Sequence, residues 1–217
     1  MGHAPRSELT IMHSTAYTTD RLPAFSLDHY RELLRALTNA GYKFAPVTDM
    51  PQYQSGYVAY IRHDIDIHLD RIDEMARIEA ESGVVATYYI LLTQQYNPLE
   101  PHNRRILQQI RTLGHTIGLH YDLETYPGDQ TDAQAHLEAE VHLLATLVGS
   151  PVQTIVMHQP HQGQPDFFKS SNEYVHPHDP RWQNGLLYVS DSCRAWRDES
   201  LLQCFGSDPP ARLLLTI

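Results

Sequence analysis

Along most of this chain the hydrophobic spacing switches between a helical and an extended period, and a glycine stands at nearly every switch. From Ser26, an N-cap candidate, Leu27, Tyr30, Leu33, Leu34 and Leu37 recur at helical spacing until Gly41 supplies a left-handed stop. Residues 57–62 are rich in β-formers, and Leu69, Ile72, Met75, Ala76 and Glu79 then follow a helical period to Gly83. An apolar strand over 84–92, a helix over about 103–113 ended by Gly114, and a short strand over 116–120 continue the alternation. Thr131 with Gln134 reads as a capping box that opens a helix carrying Leu137, Val141, Leu144 and Val148, stopped by Gly149 and Pro151 ahead of a strand over 153–157. Further strands are expected at 186–190 and 212–217. Such alternation calls for a mostly parallel sheet with helices packed outside it, so the fold class is α/β, as an incomplete parallel barrel or an open sheet. A full eightfold barrel takes about 250 residues, more than the 217 present. Residues 1–20 carry no such period and read as a flexible N-terminal arm, with 21–217 as a single domain.

In parallel α/β folds the C-terminal ends of the strands open on one face. Polar residues crowd at those ends: Arg62-His63-Asp64-Ile65-Asp66, His120-Tyr121-Asp122-Leu123-Glu124, His158 and Asp191. Side chains alternate along an extended segment, so Asp64 and Asp66 share a face that His63 and Ile65 do not. Two adjacent carboxylates repel unless a cation lies between them or one keeps a proton, a division of labour suited to metal-assisted hydrolysis. The competing reading makes Asp66 or Asp70 the cap of the following helix. His120 shares its parity with Thr116 and Gly118, and Gly118 is expected to leave room for metal or substrate. Glu124 has a ligand's spacing from His120 if the chain turns helically there, although Pro127-Gly128 favours a loop, and His158 competes with Glu124 for the third ligand position. Asp191 beside Arg194 or Arg197 would stay ionised and hold a catalytic group, and Trp196 offers an apolar wall for a sugar ring. His115, next to Gly114, is expected at a helix C-terminus and outside the site. His161 lies in a polar loop that could meet a hydroxyl-rich ligand but reads as a loop without function, and His176 and His178 lie in a second loop and read as solvated.

Charge and composition narrow the classes. With 26 acidic against 16 basic side chains the net charge is −10, so no nucleic acid partner is expected. The 14 histidines nearly equal the basic residues, which favours metal chemistry. Cys193 and Cys204 form neither a disulfide framework nor a C-x-x-C pair. The longest apolar run, 84–92, is too short to span a bilayer, and the first ten residues hold no apolar signal core. A cytoplasmic protein without a transmembrane segment is the expectation; nothing in the sequence signals an oligomeric state.

These residues resemble the polysaccharide deacetylase family of the NodB-homology fold, carbohydrate esterase family four, in a divergent branch whose first motif reads Arg-His-Asp-(Val/Ile)-Asp. The resemblance runs over about residues 26–217. It rests on Arg62-His63-Asp64-Ile65-Asp66, Ala86-Thr87-Tyr88-Tyr89, the segment from Gly114 to Tyr121, and Ser190-Asp191-Ser192 with Trp196. It implies a distorted, incomplete (β/α) barrel of the NodB-homology type and a divalent metal, zinc by default, that hydrolyses N- or O-acetyl groups on a carbohydrate or glycan precursor. By that resemblance Asp64 looks like the catalytic base and Asp66 like a metal ligand. The expected site then has metal on Asp66, His120 and either Glu124 or His158, with Asp191 assisting catalysis and Arg62, Tyr121 and Trp196 at the substrate.

Two departures stand out. The family carries a second histidine four residues after the first, where this chain has Glu124, and it places a catalytic acid histidine just after the last barrel strand, where this sequence stops at Ile217. Either the barrel is truncated at its C-terminal end or that residue is lacking. The alternative is therefore a noncatalytic carbohydrate-binding or assembly protein that keeps the barrel. A metal phosphoesterase ranks behind both, for want of basic residues to meet phosphate.

Overall fold

The computed structural model describes residues 26–126, 129–159, 165–192, 195–196 and 200–217. The expected arm at 1–20, His161, Arg194, Arg197 and the side chains of Asp70 and Trp196 lie outside the described residues. In chain order the elements are α1 (Leu27–Asn39), β1 (Lys43–Phe44), β2 (Val58–Ile65), α2 (Ile72–Glu81), β3 (Ala86–Leu91), α3 (Pro101–Thr112), β4 (Thr116–Tyr121), α4 (Gln130–Val148), β5 (Ile155–Met157), β6 (Leu186–Ser192), β7 (Ala195–Trp196) and β8 (Arg212–Thr216). The Ser26 hydroxyl caps α1 by accepting from the His29 N–H, and the chain leaves that helix through Gly41 at φ 91°. Among the described residues no helix is long and apolar enough to cross a membrane.

The capping box of α4 lies earlier than its sequence signal. Asp129, not Thr131, is the N-cap: one carboxylate oxygen accepts from the N–H groups of Thr131 and Asp132 at 2.8 and 3.2 Å, and Asp132 accepts from the Asp129 N–H in return. A carboxylate brings full negative charge to the positive end of the helix dipole, which a threonine hydroxyl cannot match.

The strands form one sheet in the order β5-β4-β3-β2-β8-β6-β7, with β1 also paired to β2. Every pairing is parallel except β6 with β7. The sheet curls. Tyr60, Tyr89, Val156 and Leu214, from β2, β3, β5 and β8, meet in one interior cluster against Leu186 of β6, although β5 and β6 lie far apart in the strand order. A 3-10 turn over Val47–Gln52 adds Val47 and Met50 to that interior. Residues of the opposite parity, among them Ile61, Ile65, Tyr88 and Ile90, point outward into a larger core shared with the helices. The result is an incomplete parallel barrel. On the β5 side of the gap, Val175 pairs with Thr154, and hydrogen bonds from Ile155 N–H to Val175 O and from Val175 N–H to Gln153 O carry the segment along the edge.

Gly118 is needed for a reason other than the one its position implies. A Cβ there would stand 2.6 Å from Cε1 of Tyr89 and 2.8 Å from Cγ2 of Thr154. The space beside Gly118 is filled by the Tyr89 ring, whose hydroxyl is 2.6 Å from that of Thr154, and is not room for metal or substrate.

Candidate metal centre

Strand parity decides what reaches the barrel mouth. On β2, Arg62 and Asp64 follow the inward parity of Tyr60, with Asp66 just beyond the strand end, while His63 joins the outward face. On β4, His120 follows Gly118 inward. His158 follows β5 and is held by its backbone N–H donating to Tyr121 O at 2.7 Å. The chain then turns away through Gln159, at φ 37° the one non-glycine in left-handed backbone among the described residues.

Asp66, His120 and His158 converge, each offering a ligand atom within 4.8 Å of the others. Asp66 Oδ1 lies 3.4 Å from His120 Nε2 and 3.5 Å from His158 Nδ1, and the two imidazole nitrogens are 3.2 Å apart. His120 Nδ1 donates to the Val156 carbonyl at 3.0 Å, so Nε2 presents a bare lone pair to the triangle, and burial lowers the pKa of this imidazole and favours its neutral form. Asp66 Oδ1 is buried and makes no hydrogen bond. Three acceptors thus face one another with at most one proton, from His158, to share among them. A cation resolves that imbalance, and the geometry fits: tetrahedral N and O ligands about 2.05 Å from zinc stand about 3.3 Å apart.

Asp66 does not cap a helix. The 3-10 turn Leu69–Arg71 and α2 behind it both begin without a side-chain cap. Glu124 is placed elsewhere: it sits exposed in a 3-10 turn, Leu123–Thr125, capped by Asp122, and is not among the converging groups. Of the two competitors for the third position, the fold brings His158 to the cluster.

Asp64 stands beside the triangle, its Oδ2 3.9 Å from His120 Nε2. Arg62 grips it in a two-pronged pair, Nε to Oδ1 at 2.7 Å and Nη2 to Oδ2 at 2.6 Å. Burial by itself would raise the Asp64 carboxyl; the guanidinium, helped by His120, outweighs burial and brings its pKa down to about 2. Arg62, expected at the substrate, is buried, and its third nitrogen, Nη1, donates to His178 Nε2 at 2.8 Å. Tyr121, also expected at the substrate, is buried with its ring edge-on to Phe168 and its hydroxyl donating to Asp166. Asp191 is next to last in β6 and has the outward parity of Leu187 and Val189, not the inward parity of Leu186; burial raises its carboxyl, as does the charge of Asp64, with His63 opposing.

The histidines assigned to solvent behave otherwise. His176 is buried with Nε2 3.2 Å from the Asp166 carboxylate, and His178 packs edge-on against Tyr188. Their flanks, apolar Val175 and Trp182 with an Asp179-Pro180 turn start between, were the available signal of an ordered segment. His115 is equally buried: it donates from Nε2 to Ala76 O and accepts at Nδ1 from the Ala86 N–H, so it ties α2 to β3 and does not cap the preceding helix.

No protein-family model matches this sequence, and no curated protein does. Among solved structures, the Xyl-CE4 domain of a multidomain xylanase from the hindgut metagenome of Trinervitermes trinervoides superposes with TM-score 0.49 at 12% identity, covering 75% of this chain and 74% of that one. A family 4 carbohydrate esterase from Bacillus anthracis gives 0.47 at 14%, over 90% and 80%. A CE4 family pseudoenzyme from the same organism gives 0.47 at 13%, over 76% and 56%. At these scores and identities nothing about activity passes from them to this chain.

Proposed function

We propose that this chain is a metal-dependent hydrolase that removes an acetyl group from the nitrogen or oxygen of a carbohydrate or glycan precursor. The observation that carries the reading is the triangle of Asp66, His120 and His158, three acceptors short of donors, set beside a carboxylate held ionised by an arginine. The substrate class is drawn from the sequence resemblance of the four motif stretches.

Asp66 Oδ1, His120 Nε2 and His158 Nδ1 would hold a divalent cation, zinc by default among several that such mixed ligands accept. When bound, that cation supplies Lewis acidity, acidifying a water and drawing charge from the acetyl carbonyl. Asp64 takes the proton of the attacking water and returns it to the departing nitrogen or oxygen as its bond to the acetyl carbon breaks. At a pKa of about 2 it is a weak base, so it serves by position more than by basicity.

The test supplies zinc or cobalt to the purified protein and measures acetate released from an acetylated sugar oligomer. Asp64→Asn is expected to keep the metal and lose about 10²- to 10⁴-fold in turnover. Full turnover in that variant removes Asp64 as base. Sugar binding by the metal-loaded native protein without acetate release would favour the noncatalytic reading.

A further inference from the structure

We propose that His178 is a positioning residue for Asp64, acting through Arg62; the inference rests on the reading of Asp64 as the base. The guanidinium of Arg62 is held on every side. Its Nε and Nη2 are taken by the two oxygens of Asp64, its Cζ lies 5.3 Å from the centroid of the Tyr89 ring, and its remaining nitrogen donates to His178 Nε2 at 2.8 Å. Tyr89 steers the plane of the guanidinium but offers no acceptor to it. His178 is the partner that fixes its rotation from outside the strand.

That fixing matters because Arg62 and Asp64 are neighbours on one face of one strand. A long arginine side chain has many rotamers open to it and gives up that freedom when held in one. Paired only with a carboxylate two residues away, it can swing toward the open mouth and take that carboxylate along. With Nη1 anchored to His178 in the segment before β6, the fork keeps its direction, and Asp64 Oδ2 stays 3.9 Å from His120 Nε2.

His178 is itself anchored. It belongs to the segment running from the β5 edge to β6, on the open side of the barrel, and its N–H donates to His176 Nδ1 at 3.1 Å. Trp182 Nε1 donates to His176 O and Gln183 Nε2 to Pro177 O, while Arg181 grips the buried carboxylate of Asp179. The ring lies 4.9 Å from that of Tyr188 at 82°. Burial, then the charge of Arg62, lowers its pKa to about 3, so Nε2 remains an acceptor at neutral pH. The segment that lines the barrel gap thus also supports the base.

The test compares His178→Phe, which keeps a ring against Tyr188 but has no acceptor, with His178→Gln, whose amide oxygen can accept from Nη1. Fold is checked by thermal melting. The first readout needs neither metal nor turnover: the side-chain N–H signals of Arg62, assigned by their loss in Arg62→Lys, are followed by nitrogen-edited NMR. The expected result is solvent exchange at least about tenfold faster in His178→Phe and near native in His178→Gln. The second readout is kinetic, on metal-loaded protein, where His178→Phe should lower kcat about 10- to 100-fold at unchanged KM, as loss of a supporting partner does, with His178→Gln restoring most of it. If His178→Phe fails to fold, His178→Ala replaces it. Native Arg62 exchange in a folded acceptor-less variant, or failure of His178→Gln to restore it, overturns the proposal. An inactive native protein with the exchange pattern intact refutes the hydrolase reading instead.

Discussion

His63 and Asp64 are neighbours on β2, yet their side chains enter clusters of opposite kind. Outward, His63 donates from Nδ1 to Ile217 O at 2.9 Å and from Nε2 to Glu79 at 2.6 Å, and Glu79 also accepts from the hydroxyls of Tyr30 and Tyr88. Every donor there has an acceptor. Inward, Asp66, His120 and His158 face one another with at most one proton among them, shared between the two imidazoles, and a buried carboxylate oxygen goes without a bond. Both clusters are built from imidazole and carboxylate beside buried tyrosines. Their difference lies in the balance of donors and acceptors: a saturated cluster holds elements together, whereas a cluster short of positive charge is arranged for something that arrives from outside.

The outward cluster is broken most severely by Glu79→Ala, which leaves an imidazolium and two tyrosine hydroxyls buried without their acceptor. Urea unfolding should show a loss of about 3–5 kcal/mol, with zinc stoichiometry unchanged in the protein that remains folded. Gly118→Ala acts on the inner side alone. Pushing a methyl group into the Tyr89 ring should cost about 1–3 kcal/mol, read as a lower melting temperature, while the outward cluster is untouched.

A subtler difference between the two regions is pH dependence. Burial disfavours both charges of the His63–Glu79 pair, but their mutual attraction prevails, raising the His63 pKa and lowering that of Glu79. The histidine contribution is complete below its unfolded value of about 6.5 and fades as pH rises through the folded one; the glutamate contribution is complete above about 4.3 and fades as pH falls through its lowered folded value. The stability advantage of the native protein over Glu79→Gln should therefore peak between about pH 4.3 and 6.5. A difference that is flat with pH would mean that the pair is not ionic.

Much of this contrast is legible in the sequence. Alternation along β2 separates His63 from Asp64 and Asp66, and the rule that strand ends share one face predicts the meeting of Asp66 with His120 and His158. Glu79 fell on the apolar helical period with Leu69, Ile72 and Ala76, a sign of burial, but only tertiary structure supplies the Tyr30, His63 and Tyr88 that make burial tolerable. His178 escaped for a similar reason, its partner Arg62 being 116 residues away. The choice between Glu124 and His158 turned on whether the chain coils after β4, and a single 3-10 turn capped by Asp122 leaves Glu124 outside the cluster. Gly118 reads in the sequence as room for metal or substrate, because nothing in the strand pattern shows that the Tyr89 ring of the same barrel fills the space beside it.

The central claim is that the inner triangle is a cation site and the outer cluster is not. Calorimetric titration of zinc into the native protein, Asp66→Ala and Glu79→Gln tests it directly. The account predicts one zinc per chain in the native protein and in Glu79→Gln, and an affinity at least about 100-fold weaker in Asp66→Ala, a larger loss than removal of an outer partner causes. No binding to the native protein, or undiminished binding to Asp66→Ala, would contradict it.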